Sequence, residues 1–277
     1  QWISSLEAYA FPAIGDRAVN QIDGPAVRDI LAAIWLTKNE TATRVRQRIN
    51  TIIDWAVAKG YREAPLSMAI INKSLPKSPK GQKKHFAAMP YSDVPEFIGT
   101  LREKNSIGAL ALRLAILTAA RSGEVRLAKW GEIDFEAATW TIPAERMKAG
   151  REHIVPLSPA ALAVFEQAKG HRIAGSNFVF QGTKKGKPLS DMTLTKILRD
   201  QGLPFTVHGF RSSFRDWVGE ETTHAVDVAE MALAHTIKDK TEAAYRRWSM
   251  LDKRRTLMDN WSNYIEDTNF SVVTGQR

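Results

Sequence analysis

The sequence contains no cysteine. Disulfides and thiolate metal sites are therefore excluded, and a reducing compartment is allowed without being required. Long apolar stretches are also missing. The longest, Ile107 to Ala120, is interrupted by Arg113 and is too short to span a bilayer. The opening residues do not read as a secretory leader, so no membrane partner is expected. No His-x-x-x-His pair and no carboxylate cluster at ligand spacing occurs, which argues against a bound metal. There is no internal repeat and no low-complexity tract.

What is present is positive charge, unevenly placed. The 277 residues carry a formal charge of +9, with 44% hydrophobic and 25% charged residues. That is the balance of a globular chain long enough for one large domain or two ordinary ones. Between Arg44 and Lys84 there are ten Lys/Arg against two Asp/Glu, a net of +8 within 41 residues. A basic stretch of this kind favours a polyanionic partner. The chain opens on Gln1 rather than methionine, which is expected of a piece excised from a longer protein.

Local patterns divide the chain. Asp23-Gly-Pro-Ala opens a helix whose apolar stripe is Val27, Ile30, Leu31 and Ile34. A second helix is expected from about Thr41 to Lys59, with Ile49, Ile52, Ile53 and Ala56 inward and Gly60 ending it. Arg44, Arg46 and Arg48 lie near its start and cannot all share one face. They read either as a solvated basic turn or as contacts to phosphates and grooves. Residues 73 to 85 carry two prolines, a glycine and five lysines: Lys73, Lys77, Lys80, Lys83 and Lys84. Such a stretch cannot bury a core, and proline discourages helix. A basic linker is expected over 73–90, between a helical domain at 1–85 and a second domain at 91–277. Its lysines read either as those of a merely soluble linker or as phosphate contacts that release counterions on binding a duplex.

The second domain starts with a capped helix at Ser92. A buried helix over Ile107 to Thr118 is followed directly by Arg121. The period then changes: Ile133-Asp-Phe, Thr139-Trp-Thr-Ile and His153-Ile-Val-Pro-Leu predict a three-stranded antiparallel sheet. Lys148 falls in the turn between the last two strands. Beyond Pro159 the reading is mostly helical, with a basic loop at 182–188. The expected fold class is mainly α with a small antiparallel sheet.

Six polar residues stand out in this second part, each in a short motif. They are Arg121 in Thr118-Ala-Ala-Arg-Ser-Gly-Glu124, Lys148 in Met147-Lys-Ala-Gly150, and His208 and Arg211 in His-Gly-Phe-Arg. The others are His235 in Ala232-Leu-Ala-His and Tyr245 in Ala243-Ala-Tyr-Arg. Two arginines can clamp phosphate oxygens. Two histidines can move protons near neutral pH. A tyrosine can attack phosphorus and hold it covalently. The step from His235 to Tyr245 is ten residues. Arg246 and Arg247 would raise the potential at a phenol whose ordinary pKa is about 10. His208 and Arg211 share a face if a helix runs from Phe205 to Val218.

This ordered set resembles the tyrosine recombinases of the phage-integrase family: arginine, hairpin lysine, His-x-x-Arg, histidine, then tyrosine. The match covers roughly residues 90 to 260 by motif, and residues 1 to 85 are similar to the family's helical core-DNA-binding domain. The chain departs from the common wording twice, with Thr-Ala-Ala-Arg for Thr-Gly-x-Arg and Leu-Ala-His for Leu-Gly-His. Alanine accepts helical dihedrals more readily than glycine, so both departures bear on local backbone rather than on chemistry.

The resemblance implies a site-specific recombinase acting through a 3′-phosphotyrosine. Tyr245 would be the nucleophile, Arg121 and Arg211 the phosphate clamp, and His208 the group that takes or returns the phenol proton. His235 would donate to the phosphate, and Lys148 would protonate the leaving oxygen. No metal or other cofactor is implied. The implied partners are double-stranded DNA, a homotetramer on synapsed duplexes and DNA-bending accessory proteins, in the cytoplasm and associated with the nucleoid. A further N-terminal domain for outlying DNA sites is also implied. Two rival readings stay open: a type IB topoisomerase, and a non-catalytic DNA-binding protein on the same fold. The C-terminal segment Leu251 to Phe270 could dock on a neighbouring subunit or pack on its own domain.

Overall fold

The computed structural model describes residues 2–77, 87–184, 186–235 and 250–267. The chain separates into two compact units, residues 1–84 and 85–277. Among the described residues no helix is long and apolar enough to cross a membrane.

The first unit is helical: α1 Trp2–Tyr9, α2 Phe11–Ile14, α3 Gly24–Trp35, α4 Asn39–Ala58 and α5 Met68–Ser74. The Asp23 carboxylate caps α3 by accepting from the Ala26 N–H at 2.9 Å, and Pro25 sits in the first turn. Val27, Ile30, Leu31 and Ile34 are buried, as their spacing predicts. They pack with Val45, Ile49 and Ile53 of α4, with Leu6 of α1 and Ile14 of α2, and with Ala10 between those two helices. Gly60, at φ +74°, lets the chain leave α4 in the left-handed conformation.

Lys73 departs from the expected linker, because it lies in the last turn of α5. Ser67 caps this helix, Ile71 is buried in the unit's core, and Met68 packs partly buried against it. The local cap and the apolar anchors Ile71 and Met68 outweigh the lysine count nearby.

The second unit is built around α7, Ile107–Thr118, with α6 at Val94–Arg102 before it and α8 at Ser122–Arg126 after it. The strands β1 Ile133–Asp134, β2 Thr139–Ile142 and β3 His153–Pro156 follow. Among the described residues the remaining helices are α9 Pro159–Lys169, α10 Thr193–Asp200, α11 Gly209–Glu221, α12 Val226–Ala232 and α13 Leu251–Glu266. Every residue of α7 after Ile107 is buried, because α6, α9, α10 and α13 pack around it. Its one charge, Arg113, reaches Glu266 of α13 at 3.5 Å and the Gln167 side chain of α9 at 3.3 Å. The sheet has the order β1-β2-β3, antiparallel throughout, with Trp140 opposite Val155 and both buried.

Helix α13 packs on its own unit. Trp261 is fully buried, donates its indole N–H to the Ile116 carbonyl at 2.9 Å, and meets Phe214 and Trp217 at 5.5 and 5.1 Å between ring centroids. A large apolar side chain so placed contributes about 2–3 kcal/mol to this unit. Phe270 lies outside the described residues.

The end of the expected linker is likewise part of this unit. Met89 is buried, its carbonyl accepts from the Ser213 hydroxyl, and the Ala87 carbonyl accepts from the Thr206 N–H at 3.0 Å. Gly209 lies directly beneath this segment, and a Cβ there would stand 2.3 Å from the Ala87 oxygen. A backbone atom cannot swing away as a side-chain tip can. Gly209→Ala is therefore expected to lower unfolding free energy by about 1–3 kcal/mol, the usual cost of overpacking. Urea denaturation of both proteins checks this.

Candidate active site

Helix α7 delivers the first arginine. Ser106 caps its start, and at its end Ala119 turns left-handed at φ 49°. Arg121 then becomes the N-cap of α8. The Glu124 side chain reaches back to accept from the Arg121 N–H at 2.8 Å and pairs with the Arg121 guanidinium at 2.8 Å. The arginine is thus fixed at both ends, and its other terminal nitrogen faces the carbonyls of Leu233 and Ala234 at 3.5 and 3.4 Å.

Those carbonyls belong to the end of α12, which closes in a Schellman arrangement. The Ala234 N–H bonds to the Met231 carbonyl at 3.0 Å and the His235 N–H to the Glu230 carbonyl at 2.9 Å. Ala234 holds the left-handed position at φ 49°. The two alanines standing where the family wording has glycine therefore both keep the left-handed conformation, and neither continues its helix. A left-handed alanine costs roughly 1–2 kcal/mol, so tertiary contacts hold both.

Arg211 is the principal contact. It is buried on α11, with Nη1 donating to the Ala119 carbonyl and Nη2 to the Leu233 carbonyl at 2.6 Å. Nη2 also lies 3.2 Å from Nε2 of His235. Arg211 therefore joins the two left-handed turns, and the Leu233 oxygen serves both arginines. Its Nε is buried with no hydrogen-bond partner among the described residues, a cost tolerated where function needs it. Burial pulls the Arg211 pKa down to about 10, and the Arg121 charge adds to that. It remains charged at neutral pH.

His208 precedes this helix instead of lying within it. Helix α11 begins at Gly209, four residues later than the expected start at Phe205, and His208 is its N-cap at φ −68°. Thr206 intervenes, its hydroxyl accepting from the Gly209 N–H at 3.0 Å and terminating the preceding loop. Desolvation, then the charges of Arg211, Arg121, His235 and Lys148, push the His208 pKa below its ordinary value. A neutral imidazole able to accept a proton is the result. Lys148 is exposed in the hairpin loop joining β2 to β3, where the Met147 carbonyl accepts from Gly150 at 2.9 Å and Gly150 has φ +62°. Its charge is felt at His208, so the hairpin faces the site.

Several contributors carry no motif. His153, first residue of β3, is hydrogen-bonded to the Ala232 backbone; burial first, then Arg254, pull its pKa down to about 4. Buried Arg254 of α13 donates to the Ile154 carbonyl at 2.7 Å, and burial brings its pKa to about 10. Glu230 accepts from Arg215 Nε at 2.7 Å and lies 2.6 Å from Nδ1 of His235. Only Glu124 had a signal in sequence, standing three residues after an N-cap. The others come from elements distant in the chain.

Tyr245 lies outside the described residues, as do Lys80, Lys83 and Lys84. In the first unit the three early arginines of α4 diverge. Arg44 pairs with Glu40 at 2.5 Å on the surface. Arg46 donates to Asn72 at 2.5 Å and lies over Trp35. Arg48 donates to the Ser5 hydroxyl and lies over Trp2. Lys77 follows α5 in an exposed position. Among the described residues no group of three or more His, Asp or Glu side chains is placed to hold a metal ion.

Residues 1–70 match the family model for the phage integrase central domain, and residues 89–251 match that of the phage integrase family. The prophage integrase IntA of Escherichia coli (strain K12) is 35% identical over 98% of this chain, and the chain spans 66% of that relative. Among solved structures, a lambda integrase(75-356) dimer bound to a COC′ core site aligns with a TM-score of 0.60 at 20% identity, covering 90% of this chain and 87% of that one. A lambda integrase tetramer bound to a Holliday junction aligns with the same TM-score of 0.60 at 17% identity, covering 87% and 69%.

Two expectations follow from this geometry. His153 binds a proton more weakly folded than unfolded, so its contribution is complete above about pH 6.5 and is lost as pH falls toward about 4. Over that range wild type should lose up to about 3 kcal/mol more than His153→Gln, by urea denaturation at each pH. Ala119→Gly should leave stability unchanged or raise it by up to about 1 kcal/mol, strain relief offsetting unfolded-chain entropy. Ala119→Val should lower it by more than about 1 kcal/mol; thermal melts of the three proteins compare them.

Proposed function

The chain belongs to the phage integrase family, and on that premise we propose that it is a DNA strand-transferase that cuts and rejoins duplexes through a 3′-phosphotyrosine. The observation that carries this reading is the convergence of Arg121 and Arg211 on the Leu233 carbonyl, with the His235 ring 3.2 Å from Arg211. Two fixed guanidiniums beside an imidazole form a polar floor whose charge is already paid for by folding. Groups aimed in advance at developing negative charge supply the largest share of many accelerations.

In this reading Tyr245 attacks the scissile phosphate, forming the phosphotyrosyl bond and releasing a 5′-hydroxyl. The assignment rests on its place ten residues after His235 and inside the matched region 89–251. His208, held neutral, accepts the phenol proton. Arg121 and Arg211 stabilise the non-bridging oxygens, His235 donates to one of them, and Lys148 protonates the leaving oxygen. A 5′-hydroxyl from a partner strand then attacks the phosphotyrosine and reseals the backbone, so bond energy is conserved.

The chain spans 66% of the length of its IntA relative, and the activity of the whole protein is part of the proposal. So are integration and excision of mobile DNA in the cytoplasm, at the nucleoid. Double-stranded DNA as partner and a tetramer on synapsed duplexes are supported by the lambda integrase complexes. DNA-bending accessory proteins rest on the family resemblance. Arg44, Arg46, Arg48, Lys73, Lys77, Lys80, Lys83 and Lys84 are proposed to contact phosphates. For Arg46 and Arg48 this requires keeping or exchanging their present partners.

The test is covalent trapping on a library of nicked duplexes with randomised cores, resolved on a denaturing gel. Wild type should give a protein–DNA adduct, and Tyr245→Phe should bind the same DNA with no adduct. An adduct that survives in Tyr245→Phe would overturn the assignment of the nucleophile.

A further inference from the structure

The sequence motifs leave Glu230 without a task, yet it is the residue tied most closely to His235. Its carbonyl accepts the His235 N–H at 2.9 Å, and its carboxylate lies 2.6 Å from the His235 ring at Nδ1. One residue thus holds both the backbone and the side chain of the histidine across a left-handed turn. The other carboxylate oxygen is held by Arg215 Nε of α11 at 2.7 Å, so Glu230 cannot rotate away without breaking an ion pair. Burial raises the Glu230 pKa, but the hydrogen bonds from Arg215 and His235 outweigh it and hold the carboxyl below its ordinary value.

We propose that Glu230 is a positioning residue for strand cleavage, acting with Arg215 to fix the ring orientation and proton arrangement of His235. A carboxylate only accepts, so Nδ1 must carry a proton. Nε2 is then the nitrogen directed at Arg211, 3.2 Å away, and hence toward the phosphate seat formed by the two arginines. With Nδ1–H kept on Glu230, Nε2 can donate to a phosphate oxygen when the ring is an imidazolium, whose charge the carboxylate offsets. The same second partner that orients ligating histidines elsewhere is worth 10–100-fold in function.

This inference rests on the recombinase reading for its consequence but not for its geometry, and two measurements separate them. The first is ¹⁵N NMR of the full chain with labelled histidines, His235 being assigned from a His235→Asn variant. Wild type should show protonated Nδ1 at His235, and Glu230→Gln should change the tautomer balance. A wild-type ring protonated at Nε2 alone would overturn the proposal.

The second is the rate of adduct formation on a nicked duplex recovered from the library. Glu230→Gln should slow it about 10–100-fold with DNA affinity retained, and Glu230→Asp should restore part of the loss. Equal rates for wild type and Glu230→Gln would refute the positioning role. If wild type forms no Tyr245-dependent adduct on any duplex, the recombinase reading fails, and the NMR result still decides whether Glu230 sets the His235 proton.

Discussion

The buried contact between Arg211 and the ends of two helices is what the second unit depends on. A guanidinium 5% exposed must satisfy its donors internally. Its two terminal nitrogens do so on the Ala119 carbonyl after α7 and the Leu233 carbonyl closing α12, while Nε has no partner among the described residues. Helix C-termini carry orphan carbonyls and partial negative charge, so a cation is their natural complement. One side chain thereby locks three helices together and leaves a cation where a phosphate would arrive.

The two left-handed alanines belong to the same constraint. If Ala119 or Ala234 relaxed into helical dihedrals, the carbonyls would point along the helix axes and Arg211 would lose its partners. The strain is local and modest, and a single charged hydrogen bond of about 1.5–3 kcal/mol offsets it. Around this centre the electrostatics are lopsided. Arg121, Arg211 and buried Arg254 face His208 and His153, both held neutral, while Glu124 and Glu230 each serve a specific polar partner. The surplus of positive charge is the property a phosphodiester would find.

Much of this was legible before any coordinates. Arg121, His208, Arg211 and His235 stand in recognisable short motifs, and three of the four touch one another directly or through the Leu233 carbonyl. The strand positions followed from short β-branched and aromatic runs bounded by turn residues, although burial does not alternate along them. The linker was less legible. Lysine density hid the cap and isoleucine that make α5 a helix, and it hid Met89, whose burial is decided by α11. The start of α11 was misplaced because Thr206 and Gly209 are governed by the Ala87 carbonyl, more than a hundred residues earlier.

By itself the sequence determined the chemical inventory and its order: the cations, imidazoles and phenol that the recombinase reading assigns to a phosphate. Those properties are carried by residue type and short spacing, which need no partner to be read. Tertiary structure alone decided how the inventory is aimed. Glu230, Arg254 and His153 acquire their roles from neighbours on other elements, and Ala119 and Ala234 keep a conformation that alanine disfavours locally. Their free energies depend on burial and on charges brought close in space, and no local pattern encodes those.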